Sequence, residues 1–264
     1  QPNEHRRKSF PDIKKIASDV AVAVVKEGYS DLGKPISASI GKTLGLLWES
    51  TFGLADIPLA YVASQKEISL HRIETTKQKI LSQITNDSSF IAAPMEIAGP
   101  IIDNVRFQSK GSFLEEMYLN LLTKASIQDT IHLVHPSFAH KLNQLSHDEC
   151  ILLYFMKHDQ QYTGTSRIST TYDGKVTGYL GSKFEIPEEQ LKKLIYPQNI
   201  AIYLDNLSSL DLVDELQNQG ETTSTIRTDI RIMTLSHTGK IFTDACIPND
   251  LDLSKYLHIT GLPA

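Results

Sequence analysis

NIAIYLDNLSSLDLVDELQNQGETTSTIRTDIRIMTLSHTGKIFTDACIP, residues 199–248, decides how this chain folds. Its first part carries Ile200, Tyr203, Leu204, Leu207, Leu210 and Val213, an apolar stripe at helical spacing. Its second part alternates. Ile230-Ile232 and Ile241-Phe242 predict two strands around a turn at Ser236-His237-Thr238-Gly239. A helix that runs into a β-hairpin is the closing half of a winged-helix unit, so a winged-helix-like fold is expected here.

Such units usually read DNA, with Arg, Lys, Asn or Gln of the helix reaching bases and phosphates. This helix offers Asp205, Asp211, Asp214 and Glu215, and no Lys or Arg falls between Lys193 and Arg227. The strands add Arg227, Arg231 and Lys240 against Asp229 and Asp244. Over residues 199–248 seven acids face three bases, a field that repels phosphate. The unit is therefore expected to serve packing or protein contact, and a DNA-binding regulator is the weaker alternative.

Upstream of this stretch, Ser112 and Ser146 each precede a glutamate by three residues, Glu115 and Glu149. Both are capping-box signatures and open helices over Ser112–Ser126 and Asp148–Lys157. Phe113, Met117, Leu121 and Leu122 face inward in the first; Ile151, Leu152 and Phe155 do so in the second. Between them Pro136–Leu145 is a short helix. Arg167–Thr171 and Lys175–Tyr179 flank Asp173-Gly174, a hairpin signal. Pro187 opens a short helix to Ile195.

The N-terminal part is helical. Pro11–Glu27 carries a stripe of Ile13, Ile16, Val20, Ala23 and Val24. Residues 36–63 are the most apolar, with Lys42, Glu49 and Asp56 on one narrow stripe and Leu44, Leu47, Trp48 and Phe52 covering the rest. Those four form a candidate membrane or helix-contact face. Charges and Pro58 interrupt the run short of the roughly 18 residues a bilayer span needs, so a helix buried in a bundle is expected. Ala60–Thr85 continues with Ile68, Ile73, Ile80 and Ile84 inward, and Lys66, Glu67, Arg72, Glu74, Lys77 and Lys79 on a solvated face. Met95–Phe107 makes one more helix before Gly111. The organisation expected is a flexible tail at 1–10, a helical domain at 11–110, and a winged-helix-like domain with a β-hairpin insertion at 111–264. The fold class is mainly α with small β-hairpins, that is α+β.

The 264 residues, 41% hydrophobic and 22% charged, fit an ordinary globular protein with a substantial core. A net charge of −5 argues against a general polyanion binder. Cys150 and Cys246, the two cysteines, are expected as buried thiols in a reducing compartment. No secretory leader is visible, though the chain opens on Gln1 rather than Met. The cytoplasm is the expected location.

The chemistry-bearing patterns are missing. Gly41-Lys42-Thr43 lacks the earlier glycine of a phosphate loop, since Ile36 stands there. Among nine histidines, His132, His135, His140 and His147 cluster, but no H-E-x-x-H and no paired C-x-x-C accompanies them. No G-x-S-x-G elbow is present. The expectation is therefore no catalytic, cofactor or metal site, and no enzyme.

Several phrases stand in one order along the chain: Gly41-Lys-Thr-Leu-Gly-Leu-Leu-Trp-Glu-x-x-Phe-Gly53, Pro94-Met-Glu-Ile-Ala-Gly-Pro100, Phe113-Leu-Glu-Glu-Met-x-x-Asn-Leu-Leu122, His135-Pro-Ser-Phe138 before Gln144-Leu-Ser146, and Leu235-x-x-x-Gly-x-x-Phe-x-x-Ala-Cys246. Over Lys34 to Pro248 this set resembles the Abi-alpha family, bacterial proteins named for abortive phage infection. Ser236-His237-Thr238 departs from the Pro-containing turn expected there. The resemblance implies antiviral defence and supplies no catalytic residues. The resulting expectation is a defence protein acting through a protein partner or self-association. The alternative is a membrane-perturbing effector using the helix at 36–63.

Overall fold

The computed structural model describes residues 36–51, 59–84, 89–158, 161–218, 220, 222–223 and 225–257. The tail at 1–10, the helix expected at Pro11–Glu27 and Phe52 lie outside them.

Helix α4 (Phe113–Ala125) is apolar around most of its circumference, as a helix must be to sit inside a core. Phe113, Met117, Tyr118, Leu119, Leu121 and Leu122 are all buried. Around it pack α1 (Ile36–Thr51), α2 (Leu59–Gln83), α3 (Met95–Val105), α5 (Ser137–Leu142), α6 (His147–Lys157) and α9 (His237–Cys246), either directly or through one another. The remaining elements are β1 (Tyr162–Thr170), β2 (Val176–Glu185), α7 (Glu188–Leu191), α8 (Ile200–Ser209), β3 (Val213–Asn218), β4 (Thr222–Thr223) and β5 (Ile226–Leu235). The fold is α+β, as expected. One buried cluster runs from Ile40 to Leu253.

The Ser112 hydroxyl accepts the Glu115 amide and starts α4. Glu115 does not complete the expected capping box. Its carboxylate accepts the Gly111 amide at 2.5 Å and Arg72 Nε at 2.6 Å. Arg72 was expected on a solvated face and is instead 1% exposed. It lies on the inward row of α2 with Thr76 and Ile80, and its second nitrogen donates to the Gln108 carbonyl at 2.9 Å. A buried guanidinium needs such a partner, because unpaired it would forfeit its hydration. The capping box at Ser146 and Glu149 forms in full.

The sheet is antiparallel in the order β2-β1-β5-β3, with β4 also paired to β5. The β1–β2 hairpin turns at Asp173-Gly174, where Gly174 has φ 82° and takes the left-handed conformation that favours glycine. Two register shifts bend β2 along β1.

The expected strand pair at 230–232 and 241–242 is not present. The hairpin that follows α8 is β3 with β5, in register Val213 to Leu235 and Asn218 to Ile230. Helix α8 stops at Ser209 because Asp211 adopts φ 57°, and Val213 already belongs to a strand. Residues 237–246 form α9 instead of a strand. The supposed turn is its cap: the Ser236 hydroxyl accepts the Gly239 amide at 2.8 Å. Phe242, Ala245 and Cys246 then fall on one helical face and are buried. Gly239 is required because a Cβ there would collide with the Leu212 carbonyl oxygen.

Candidate functional site

The helix–hairpin unit is held rigidly from two sides. Beneath the start of α8, Asp148 is 2% exposed. Its carboxylate accepts the amides of Ile195 and Tyr196, both at 2.8 Å, and the Tyr203 hydroxyl at 3.0 Å. Burial, with the Asp148 carboxylate adding, pushes the Tyr203 phenol up to about 12. Glu149 accepts from Asn206 at 2.7 Å, one turn further along α8. Thus two consecutive acids at the N-terminus of α6, where the helix dipole favours negative charge, fix the loop before α8 and its first two turns. Lys141 donates to the Leu210 carbonyl at the other end of α8. Next to this clamp, burial lowers the pKa of His147, partly opposed by Asp148.

On the sheet side, Arg231 of β5 fastens α8. Its guanidinium pairs with both oxygens of Glu215 on β3, donates to Asp205 on α8 at 3.0 Å and to Ser182 on β2 at 2.7 Å, and lies 5.0 Å from the Phe184 ring centre. One side chain thereby joins three strands and a helix, and its paired carboxylates raise its pKa further. At the far end of the hairpin the fully buried Asp229 accepts from Gln217, Gly220 and Arg227. The acids counted as repelling phosphate therefore divide. Glu215 and Asp205 have Arg231, whereas Asp214 is exposed.

What this unit displays is apolar and acidic. Ile202 on α8 is 66% exposed and Tyr196 just before it is 50% exposed. Residues 188–218 hold six acids against two lysines, a net −4 in a chain of net −5. A rigid helix carrying an exposed isoleucine in an acidic surround is chemically suited to meet a protein surface and poorly suited to a phosphate backbone.

Elsewhere, Leu44, Leu47 and Trp48 of the candidate α1 face are all buried, with α1 packed on α2 and α3. Among the described residues no helix is long and apolar enough to cross a membrane. Gly41 and Gly45 make no tight seam: a Cβ at Gly41 would meet Lys77 at an ordinary 3.6 Å, and one at Gly45 would meet open space. His135 serves the start of α5, where its Nδ1 accepts the Ser137 amide at 3.2 Å. Among the described residues no group of three or more His, Cys, Asp or Glu is arranged to hold a metal. Cys150 and Cys246 are buried free thiols whose pKa burial pushes up. Sequence reasoning did not find the Asp148 clamp or the Arg231 hub. A run of Ser146-His-Asp-Glu149 could have hinted at the first; nothing local marks the second.

A family model described as Abortive infection alpha matches residues 68–246. No curated protein and no solved structure matches the chain.

Proposed function

The chain belongs to the Abortive infection alpha family, and on that premise we propose that it is a bacterial antiviral defence protein, working in the cytoplasm through protein contacts rather than catalysis. The contact face is α8 with the segment before it. The observation that carries this reading is Ile202, a large aliphatic side chain held 66% exposed on a helix clamped by Asp148, Glu149 and Arg231. A solvated helix gains nothing from an isoleucine there, whereas a partner that buries it gains on the order of 2 kcal/mol. The acidic surround fits a protein partner, or a second copy, with basic groups at its rim.

Phage plating on cells carrying the protein tests this. Ile202→Arg and Tyr196→Asp should abolish protection, while the purified variants keep the wild-type melting temperature because both side chains face water. Full protection by two folded variants would remove α8 as the contact face.

A further inference from the structure

A cavity of about 370 Å³ opens between the end of α6, the end of β5 and the outer side of α9. Met156 and Leu235 give it an apolar wall; Gln161, Thr234 and Thr243 are neutral and polar; Lys157, Lys240 and Asp244 carry its charge. Two lysines and one aspartate make the lining net positive in a chain that is net −5.

Lys157 is the more buried of the two lysines. Its ammonium donates to the carbonyls of Ile247 at 2.5 Å and Thr243 at 3.2 Å, at the C-terminal end of α9. Those are neutral acceptors. Its counter-charge is Asp244, at 3.3 Å, on a side chain 61% exposed. Burial lowers the Lys157 pKa, and that carboxylate opposes the shift. Lys240 makes no ion pair among the described residues, and Gln161 and Thr234 make no side-chain hydrogen bond there. A largely buried cation whose carboxylate partner is mostly exposed, an exposed second cation, and the polar Gln161 and Thr234 thus line one half-open space of ligand size.

We propose that this cavity binds a small anion, a phosphoryl or carboxylate group borne on a partly apolar body. The anionic group takes the place of Asp244 beside Lys157 and bridges to Lys240. Met156 and Leu235 receive the apolar part. Asp244 is then an internal competitor that swings out to solvent when the ligand enters.

The test is a titration of the isotope-labelled full chain at constant ionic strength with inorganic phosphate, phenyl phosphate, acetate and benzoate, followed by amide chemical shifts. Saturable shifts are expected over 239–244, larger for the ring-bearing member of each pair. Response to the phosphates alone assigns a phosphoryl ligand, and response to the carboxylates alone a carboxylate. Lys240→Gln should weaken binding about tenfold, the size of one lost charge-assisted hydrogen bond. Asp244→Asn should tighten it several-fold, and Asp250→Asn, on an exposed residue outside the cavity, should not. Melting temperatures of all three variants establish that they fold. The proposal is overturned by the absence of saturable shifts with all four anions, by an Asp244→Asn that fails to tighten binding, or by a Lys240→Gln that binds as the wild type does.

Discussion

Replacing Asp148 by alanine removes the acceptor of three donors at once: the amides of Ile195 and Tyr196 and the hydroxyl of Tyr203. A buried donor left without a partner costs about 1–3 kcal/mol. The three are not equivalent. Tyr196 is 50% exposed, so the chain around it can turn its amide to water. Tyr203 is 8% exposed and has less freedom to do so. Counting Tyr203 and Ile195 near the middle of that range and Tyr196 near the bottom gives about 5 kcal/mol for Asp148→Ala. At about 2–4 °C per kcal/mol this lowers the melting temperature by roughly 15 °C. Asp148→Asn keeps the shape and one oxygen but points an amide at a donor, and should cost about 2 kcal/mol. Tyr203→Phe leaves the carboxylate with two amides and should cost about 1 kcal/mol. Urea unfolding of the full chain measures all three, and hydrogen exchange reads the Ile195 and Tyr196 amides directly. A loss under about 1 kcal/mol for Asp148→Ala, or unchanged protection of those two amides, would refute the clamp. If the α8 face makes the protective contact, Asp148→Ala should also weaken phage protection at temperatures where the protein is still folded.

The other predictions concern the same unit. Arg231→Met should cost about 2 kcal/mol by urea unfolding, below the 3–5 of a fully buried pair, because Glu215 and Asp205 are 26% and 62% exposed and can rehydrate. Arg231→Lys should recover only part of this, since a lysine cannot pair with both oxygens of Glu215. Gly239→Ala should destabilise by about 2–3 kcal/mol through collision with the Leu212 carbonyl, whereas Gly45→Ala, in open space within α1, should stabilise by up to about 1 kcal/mol. His147 has its pKa lowered from the usual 6.5 by burial. The unfolded chain then takes up a proton there before the folded one does. Its contribution is fully present above pH 6.5 and is lost as pH falls from there towards the folded value. His147→Gln should flatten that part of the stability–pH curve, and an unchanged slope would contradict the assignment.

The sequence by itself determined much of this protein. Ser112, Ser146 and Pro187 mark helix starts through local chemistry, and Asp173-Gly174 marks a turn through the residue type that takes a positive φ most readily; the structure has each of them. The ordered phrases from Pro94 to Cys246, which lie within the matched residues 68–246, determined the lineage. Tertiary structure decided the rest, at places where a local pattern had two readings. Ile241-Phe242 after Ser-His-Thr-Gly suits a strand or a capped helix, and the packing of Phe242, Ala245 and Cys246 into the core selected the helix. Arg72 and Glu115 are 43 residues apart and each looks like a surface charge; only the approach of α2 to α4 makes burial of both possible. The same holds for the candidate surface. Local composition showed an acidic helix, but Arg231 and Asp148 are what hold it still, and both act between elements distant in sequence. Periodicity reports what one segment prefers. Which charges are paired, and so which face is left for a partner, depends on distances across the fold that no local pattern encodes.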